Sequence, residues 1–326
     1  MKTEILKMLR QTDEYLSGQQ ICDTFQVSRT AVWKAINQLK EEGYEIEAVR
    51  NRGYRLASWP DVLSEKEIAS CLKSAWAGRN LEFWKDIDST NTRAKELGEK
   101  GAPHGTLVVA EQQTAGKGRR GRSWVSPAGS SIYMTLLLRP EVEPSRAPML
   151  TLLMAYSITE ALRESEQIDV QIKWPNDLVL NKKKICGILT EMSAEVDYVH
   201  YVVIGVGINV NTEEFPEEIA RMATSLRVEL GREFRRAEII SSIMQKFENY
   251  YEAFCKDGNL SCIVDGYNRI LVNKDSEVRV LEPGNEYNAK ALGIDDTGEL
   301  IVEKEDKSRT RIFSGEVSVR GIYGYV

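Results

Sequence analysis

The sequence predicts an α+β protein of several domains: a winged helix-turn-helix head, a mixed α/β core and a small β-barrel tail. Three observations carry this. Within the first sixty residues, two helix-start signals stand a short turn apart and lead into a hairpin. From about 63 to 270, apolar strand-like runs mix with segments of helical period. From about 271, only short strand-like runs remain, separated by turn residues. A chain of 326 residues also exceeds what one hydrophobic core normally organises.

In the head, Ile5, Leu6 and Leu9 mark the apolar stripe of a first helix. In Leu16-Ser17-Gly18-Gln19-Gln20-Ile21, Ser17 can cap a second helix, Gln20 can reciprocate, and Leu16 can staple onto Ile21. Val27-Ser28-Arg29-Thr30-Ala31-Val32 repeats half of that device, with Ser28 as cap. The short FQV turn between them suits a helix-turn-helix. The third helix then carries Val32, Ile36 and Leu39 inward and ends near Gly43. Tyr44–Leu56 alternates loosely about Asn51-Arg52-Gly53, the pattern of a hairpin.

Residues 1–60 hold nine Lys/Arg against eight Asp/Glu, a net of +1, which leaves −7 for the rest. Placement matters more than the total. Ser28, Arg29, Thr30 and Lys34 lie at the start or on the outer side of the third helix, and Arg50, Arg52 and Arg55 on the hairpin. These are the candidate DNA contacts, with a helix in the major groove and a wing across the backbone. A solvated face used for protein docking is the alternative.

Ala57-Ser58-Trp59-Pro60 reads as a linker, giving domains of 1–60, 63–270 and 271–326. In the core, Thr106–Glu111, Ser131–Leu138, Val170–Trp174, Ile185–Glu191 and Tyr201–Gly207 read as strands, the last two as an antiparallel hairpin about Ser193–Asp197. Helical period appears at Ala147–Arg163 and Ala237–Phe254. In the tail, SEVRVLE, EYNAKALGI, ELIVEK and RTRIFSG read as short strands.

The overall charge of −6 argues against a surface that coats nucleic acid throughout. No apolar run reaches membrane-spanning length, and MKTEILKMLRQTDE lacks the unbroken apolar stretch of a signal peptide. Five scattered cysteines and two histidines form no zinc pattern. A cytoplasmic protein with no membrane partner and no protein-only metal site is expected.

Thr114–Trp124, TAGKGRRGRSW, fits G-x-G-x-x-G, yet four cations fill the gaps and no acid follows until Glu141. A dinucleotide fold would need a helix opening inside the motif and an acid about twenty residues on. Turn residues follow instead, and no Walker lysine-serine occurs. What remains is a loop of backbone N–H groups and guanidiniums suited to wrap a phosphate, with Trp124 offering a face for a base. Four other stretches stand out: Asp88-Ser89-Thr90-Asn91 ahead of a helical run, Lys173-Trp174-Pro175-Asn176-Asp177 at a strand end, Lys183-Lys184-Ile185-Cys186-Gly187-Ile188-Leu189, and Gly205-Val206-Gly207-Ile208-Asn209. Alone, the first is an N-cap and the second a turn.

In this order the motifs DSTN, GKGRRGRSW, KWPNDL, KICGIL and GVGIN, behind a DNA-binding head, resemble the bifunctional biotin protein ligases that double as biotin operon repressors. Relatives often read GRGRRGR where this chain has Lys117, which keeps the charge and loses the bidentate fork. The resemblance implies a class II synthetase-like core and an SH3-like tail. It implies ATP-dependent formation of biotinyl-5′-AMP, then transfer to a lysine of the biotin carrier domain of acetyl-CoA carboxylase or a similar carboxylase.

By the same resemblance, Ser89, Thr90, Asn91, Gln113, Gly116, Lys117, Arg119, Lys184, Gly187 and Gly205 would surround biotin. Lys117, Arg119, Arg120, Arg122, Trp124, Asn176, Lys184 and Asn209 would face ATP and the adenylate. Arg119, Lys184 and Asp177 would be catalytic, with Mg²⁺ arriving with ATP and near Asp177. The adenylate would order the loop and promote a homodimer that binds operator DNA. A lipoate ligase and a catalytically silent biotin sensor are the rival readings. The role of Gly315-Glu316-Val317-Ser318-Val319-Arg320 stays open.

Overall fold

The computed structural model describes residues 1–282, 284–313 and 318–321. The chain divides into two compact units, Met1–Leu72 with Arg235–Ser241, and Lys73–Phe234 with Ser242–Val326.

The first unit opens with α1 (Lys2–Arg10), α2 (Gly18–Phe25) and α3 (Arg29–Glu41), followed by β1 (Glu45–Val49) and β2 (Gly53–Ser58). Both start signals do what the sequence implies. Ser17 accepts from Gln20 N while the Gln20 side chain accepts from Ser17 N, a complete capping box. Ser28 Oγ accepts from Ala31 N. Gln26 takes the left-handed conformation that ends α2. Ile5, Leu9, Ile21, Val32, Ile36 and Leu39 meet in one core beneath the antiparallel β1–β2 wing. A short helix the sequence did not mark, α4 (Glu65–Cys71), belongs to this unit. Arg10 reaches Glu67, Ser70 and Cys71 on it, and Tyr44 donates to the same Glu67.

The second unit is built on β3 (Leu81–Ile87), β4 (Thr106–Gln113), β5 (Ser131–Leu138), β6 (Gln171–Lys173), β7 (Asp177–Leu180), β8 (Lys183–Ala194) and β9 (Val199–Asn209), with α5 (Thr90–Glu99) between β3 and β4 and α6 (Met149–Glu166) between β5 and β6. The sheet runs β3-β4-β5-β9-β8-β7-β6. Only β3 and β4 pair parallel. That agrees with a mixed layer rather than strict βαβ alternation. All eight residues of β5 are buried, as is most of α6, so the core lies around the sheet centre. β3 and β7 are the strands the sequence reading lacked; β3 lies at the sheet edge with no residue fully buried, so it carries no alternation to read.

Past α7 (Leu226–Leu230), α8 (Arg236–Asp257) and α9 (Val264–Ile270), the tail forms β10 (Glu277–Glu282), β11 (Asn285–Ile294), β12 (Leu300–Glu303), β13 (Arg309–Ile312) and β14 (Ser318–Gly321). These make one antiparallel sheet ordered β13-β12-β11-β10-β14. Of RTRIFSG and of the 315–320 stretch, residues 314–317 lie outside the described residues. Trp174, 1% exposed, donates from its indole to Gly298 O at 3.1 Å, and its backbone N–H to Asn273 Oδ1 at 2.8 Å. The tryptophan of KWPND is thus core, tying a sheet end to the tail.

Candidate active site

One pocket gathers the ends of the strands that carry the motifs. Ser89, Thr90, Asn91, Gln113, Lys117, Gly118, Arg119, Trp124, Asn176, Lys184, Gly187 and Gly205 all line it, together with Ile188, Leu189, Val206 and Gly207.

Its polar wall starts at α5. Ser89 stands at the N-cap position, but its hydroxyl makes no capping bond, so capping does not account for it. Gln113, the last residue of β4, accepts through Oε1 from Thr90 N at 2.9 Å and Thr90 Oγ1 at 3.1 Å. Its Nε2 donates to Ser126 Oγ at 2.9 Å, and Ser126 in turn to Trp124 O at 3.0 Å. The helix start, the strand end and the basic loop are therefore joined through one glutamine. Thr135 Oγ1, on β5, lies 2.8 Å from Thr90 Oγ1 and 2.7 Å from Asn91 Oδ1. Asn91 spends Nδ2 on Leu189 O and Glu191 Oε2. Both Nδ2 hydrogens of Asn91 are thus spent on protein groups and brace the wall, while its Oδ1, which accepts one bond there, still lines the pocket. Burial raises the Glu191 pKa, but bonds from Lys95 and Asn91 outweigh it and hold the group below the usual carboxylate range.

The floor is made of missing side chains. A Cβ on Gly205 would stand 1.9 Å from Asn91 Oδ1, and one on Gly207 2.6 Å from the Trp124 indole. A Cβ on Gly187 would stand 2.9 Å from the same ring. Only glycine admits such close approach. Trp124 Nε1 is buried with no hydrogen-bond partner among the described residues.

The basic loop is a folded turn. Trp124 N donates to Gly116 O at 2.9 Å and Gly118 N to Arg122 O at 2.7 Å. Arg120 adopts a positive φ of 57°. Gly116 does not line the pocket; a Cβ there would stand 2.5 Å from Trp124 O, so its part is to let the loop close. Of the four cations, Arg119 turns inward and donates from Nη1 to Asn176 Oδ1 at 2.8 Å, while Lys117 Nζ donates to Thr92 Oγ1 at 3.0 Å. Arg120 and Arg122 are exposed and outside the lining. Burial, with Arg120 and Arg122 nearby, lowers the Arg119 pKa against the pull of Asp177. A partly desolvated guanidinium gains more from a phosphate than a solvated one does.

Lys184 Nζ sits 2.6 Å from Asp177 Oδ1 and 5.3 Å from the Trp124 ring centre. Asp177 is therefore held by a lysine. Among the described residues no group of three His, Cys, Asp or Glu could hold a metal. Asn209, at the end of β9, is buried outside the lining and donates to Thr224 O at 3.0 Å. Sequence reasoning missed Thr135 and Ser126, both of which hold the wall; a threonine inside an all-buried strand gives no sign that it differs from its core neighbours.

In the head, Arg29, Thr30, Lys34, Arg50 and Arg52 are exposed, and Ser28 is occupied as the cap of α3. Arg52 and Arg55 lie 4.8 and 5.1 Å from the Tyr15 ring centre. Arg55 is also paired with Glu47 at 2.9 Å, so much of its charge is answered within the wing.

Three family models match in chain order: an HTH domain at residues 2–55, the Biotin/lipoate A/B protein ligase family at 83–209, and the Biotin protein ligase C terminal domain at 275–320. The chain is 41% identical over 324 residues to the bifunctional ligase/repressor BirA of Bacillus subtilis, with 98% of each covered. It is 30% identical over 308 residues to the Escherichia coli protein of that name, with 94% of each covered. It also resembles the solved biotin protein ligase from Aquifex aeolicus in complex with biotin and ATP, at a TM-score of 0.65 and 31% identity over 74% of this chain and 99% of that one.

Proposed function

The chain belongs to the family of bifunctional biotin ligase/repressors, and from that premise we propose how its own residues divide the work. The observation that carries the reading is the convergence of five separate motifs on one pocket. The protein joins biotin to the AMP portion of ATP, with release of pyrophosphate, and passes the biotin to a lysine of a carboxylase carrier domain.

In the first step the biotin carboxylate oxygen attacks the α-phosphorus of ATP, forming the mixed anhydride biotinyl-5′-AMP and releasing pyrophosphate. Charge shifts on the phosphate as this happens, so cations fixed in a sheltered site favour it. Arg119, held by Asn176, and Lys184, held by Asp177, are those cations. The ureido ring of biotin meets the Ser89–Thr90–Gln113 wall, and Trp124 on its glycine floor takes the adenosine side. Mg²⁺ would come with the ATP phosphates, which with water would hold most of its coordination sphere. In the second step the carrier lysine amine attacks the anhydride carbonyl carbon and AMP leaves. The loop from Gly116 to Trp124 shields the anhydride from water meanwhile.

The head makes the same chain a repressor. We assign residues 1–60 to DNA binding, 63–270 to ligation and 271–326 to the tail domain. Adenylate-bound chains pair and set two heads on two half-sites of an operator in the cytoplasm.

Pyrophosphate release from ATP, measured with biotin and with lipoate, tests the enzyme. Release that requires biotin is expected; release with lipoate alone, or with neither acid, overturns the assignment. Operator affinity that is equal with and without biotin and ATP would remove the corepressor role.

A further inference from the structure

The outer face of α3 carries a side chain that the charge pattern of the head does not account for. Trp33 is 58% exposed. The inward positions Val32, Ala35, Ile36 and Leu39 are each 1% exposed and build the head core without it. Thr30, Trp33, Lys34 and Asn37 follow the i, i+3, i+4, i+7 spacing of one helix face, opposite to that core. The indole is not among the apolar side chains packed on the head core.

Cations predominate around it. α3 carries Arg29, Lys34 and Lys40 against a single acid, Glu41, at its last residue. Arg50 and Arg52 stand exposed at the tip of the wing. Among the described residues neither Lys34 nor Arg50 has an ion pair. The complement of this face is a polyanion with an apolar feature inside reach of a helix. Duplex DNA provides that in its major groove, where the thymine C5-methyl is the one apolar group among the base edges.

We propose that Trp33 is a specificity-determining residue that packs its indole on a thymine methyl when α3 lies in the major groove. This rests on the repressor reading above. Lys34 and Arg50 bind phosphates and fix the register, which carries no sequence information by itself. Trp33 supplies the discrimination that cations cannot, with Thr30 and Asn37 beside it as hydrogen-bonding partners for neighbouring base edges.

The test uses the full-length protein with biotin and ATP to select duplexes from a randomised pool. Each thymine of the selected sequence is then replaced by deoxyuridine, which removes only the methyl group. Wild-type affinity should fall about four-fold at one thymine per half-site, the worth of one buried methyl. Trp33→Ala should bind the thymine duplex more weakly and show no loss on replacement at that position, and Trp33→Phe should restore the sensitivity. Thermal melts that match the wild type establish that these exposed substitutions leave the fold intact. A wild-type protein indifferent to every deoxyuridine overturns the proposal, as does a Trp33→Ala protein with undiminished sensitivity. If Trp33→Ala alters self-association and leaves DNA affinity unchanged, the face is a protein contact and the proposal fails. A wild-type protein that selects no sequence at all removes the repressor reading, and the Trp33 assignment with it.

Discussion

Arg119 is the cation of the basic loop that is turned inward and partly desolvated, which separates it from Arg120 and Arg122. Replacing it, Arg119→Gly, should speed dissociation of labelled biotinyl-5′-AMP roughly ten- to a hundred-fold, the loss of one charge-assisted contact. An unchanged off-rate would show that the retaining charge lies elsewhere. Gly207→Ala tests the floor: its Cβ would meet the Trp124 ring at 2.6 Å, where neither partner is a flexible side-chain end. The KM for ATP should rise several-fold while the calorimetric affinity for biotin alone changes less. A uniform loss of both would mean that Gly207 serves biotin as well. The sequence made the glycines and cations visible because they are chemically unusual at strand ends. It could not show which cation turns inward, since that depends on Asn176, fifty-seven residues away.

At the scale of elements, the clearest support outside the site is Glu248 on α8. Its carboxylate accepts from three successive backbone N–H groups, of Ala75, Trp76 and Ala77, at 2.7, 2.7 and 2.9 Å. Burial pushes its pKa up, but the three bonds outweigh burial and leave it below the usual carboxylate range. A depressed folded pKa means stability that is complete above the unfolded value, about 4.3, and lost as pH falls through the lower folded value. Glu248→Gln should therefore cost about 2 kcal/mol at neutral pH. Urea melts at stepped pH should find the gap between the two proteins constant down to about pH 4.3 and closing below it. A gap that persists in acid would contradict the account. No sequence pattern pointed to Glu248, because its partners are backbone groups over 170 residues away in the chain. The capping box of the head was legible for the opposite reason: donor and acceptor lie three residues apart.

For the whole molecule, the sequence put a boundary at Ala57-Ser58-Trp59-Pro60, yet the first compact unit runs to Leu72 and takes in Arg235–Ser241. Asp61 accepts from Arg236 N and Nε at 2.9 and 2.7 Å, and Ser241 Oγ donates to Cys71 O at 2.6 Å. Chains beginning at Asp61 and at Lys73 should differ accordingly. The shorter one should be less stable by about 1–3 kcal/mol in denaturant melts, since it loses these hydrogen bonds. Equal stability would show that residues 61–72 add nothing to α8. The same unit has Trp59 donating to Glu238 at 2.8 Å beneath the Arg235 guanidinium, 3.7 Å from the ring centre. Gene recombination that swaps heads at the linker would part Trp59 and Asp61 from residues encoded some five hundred nucleotides downstream. Such a chimaera would inherit a mismatched seam, so this head and the opening of α8 are a single heritable unit written in two places.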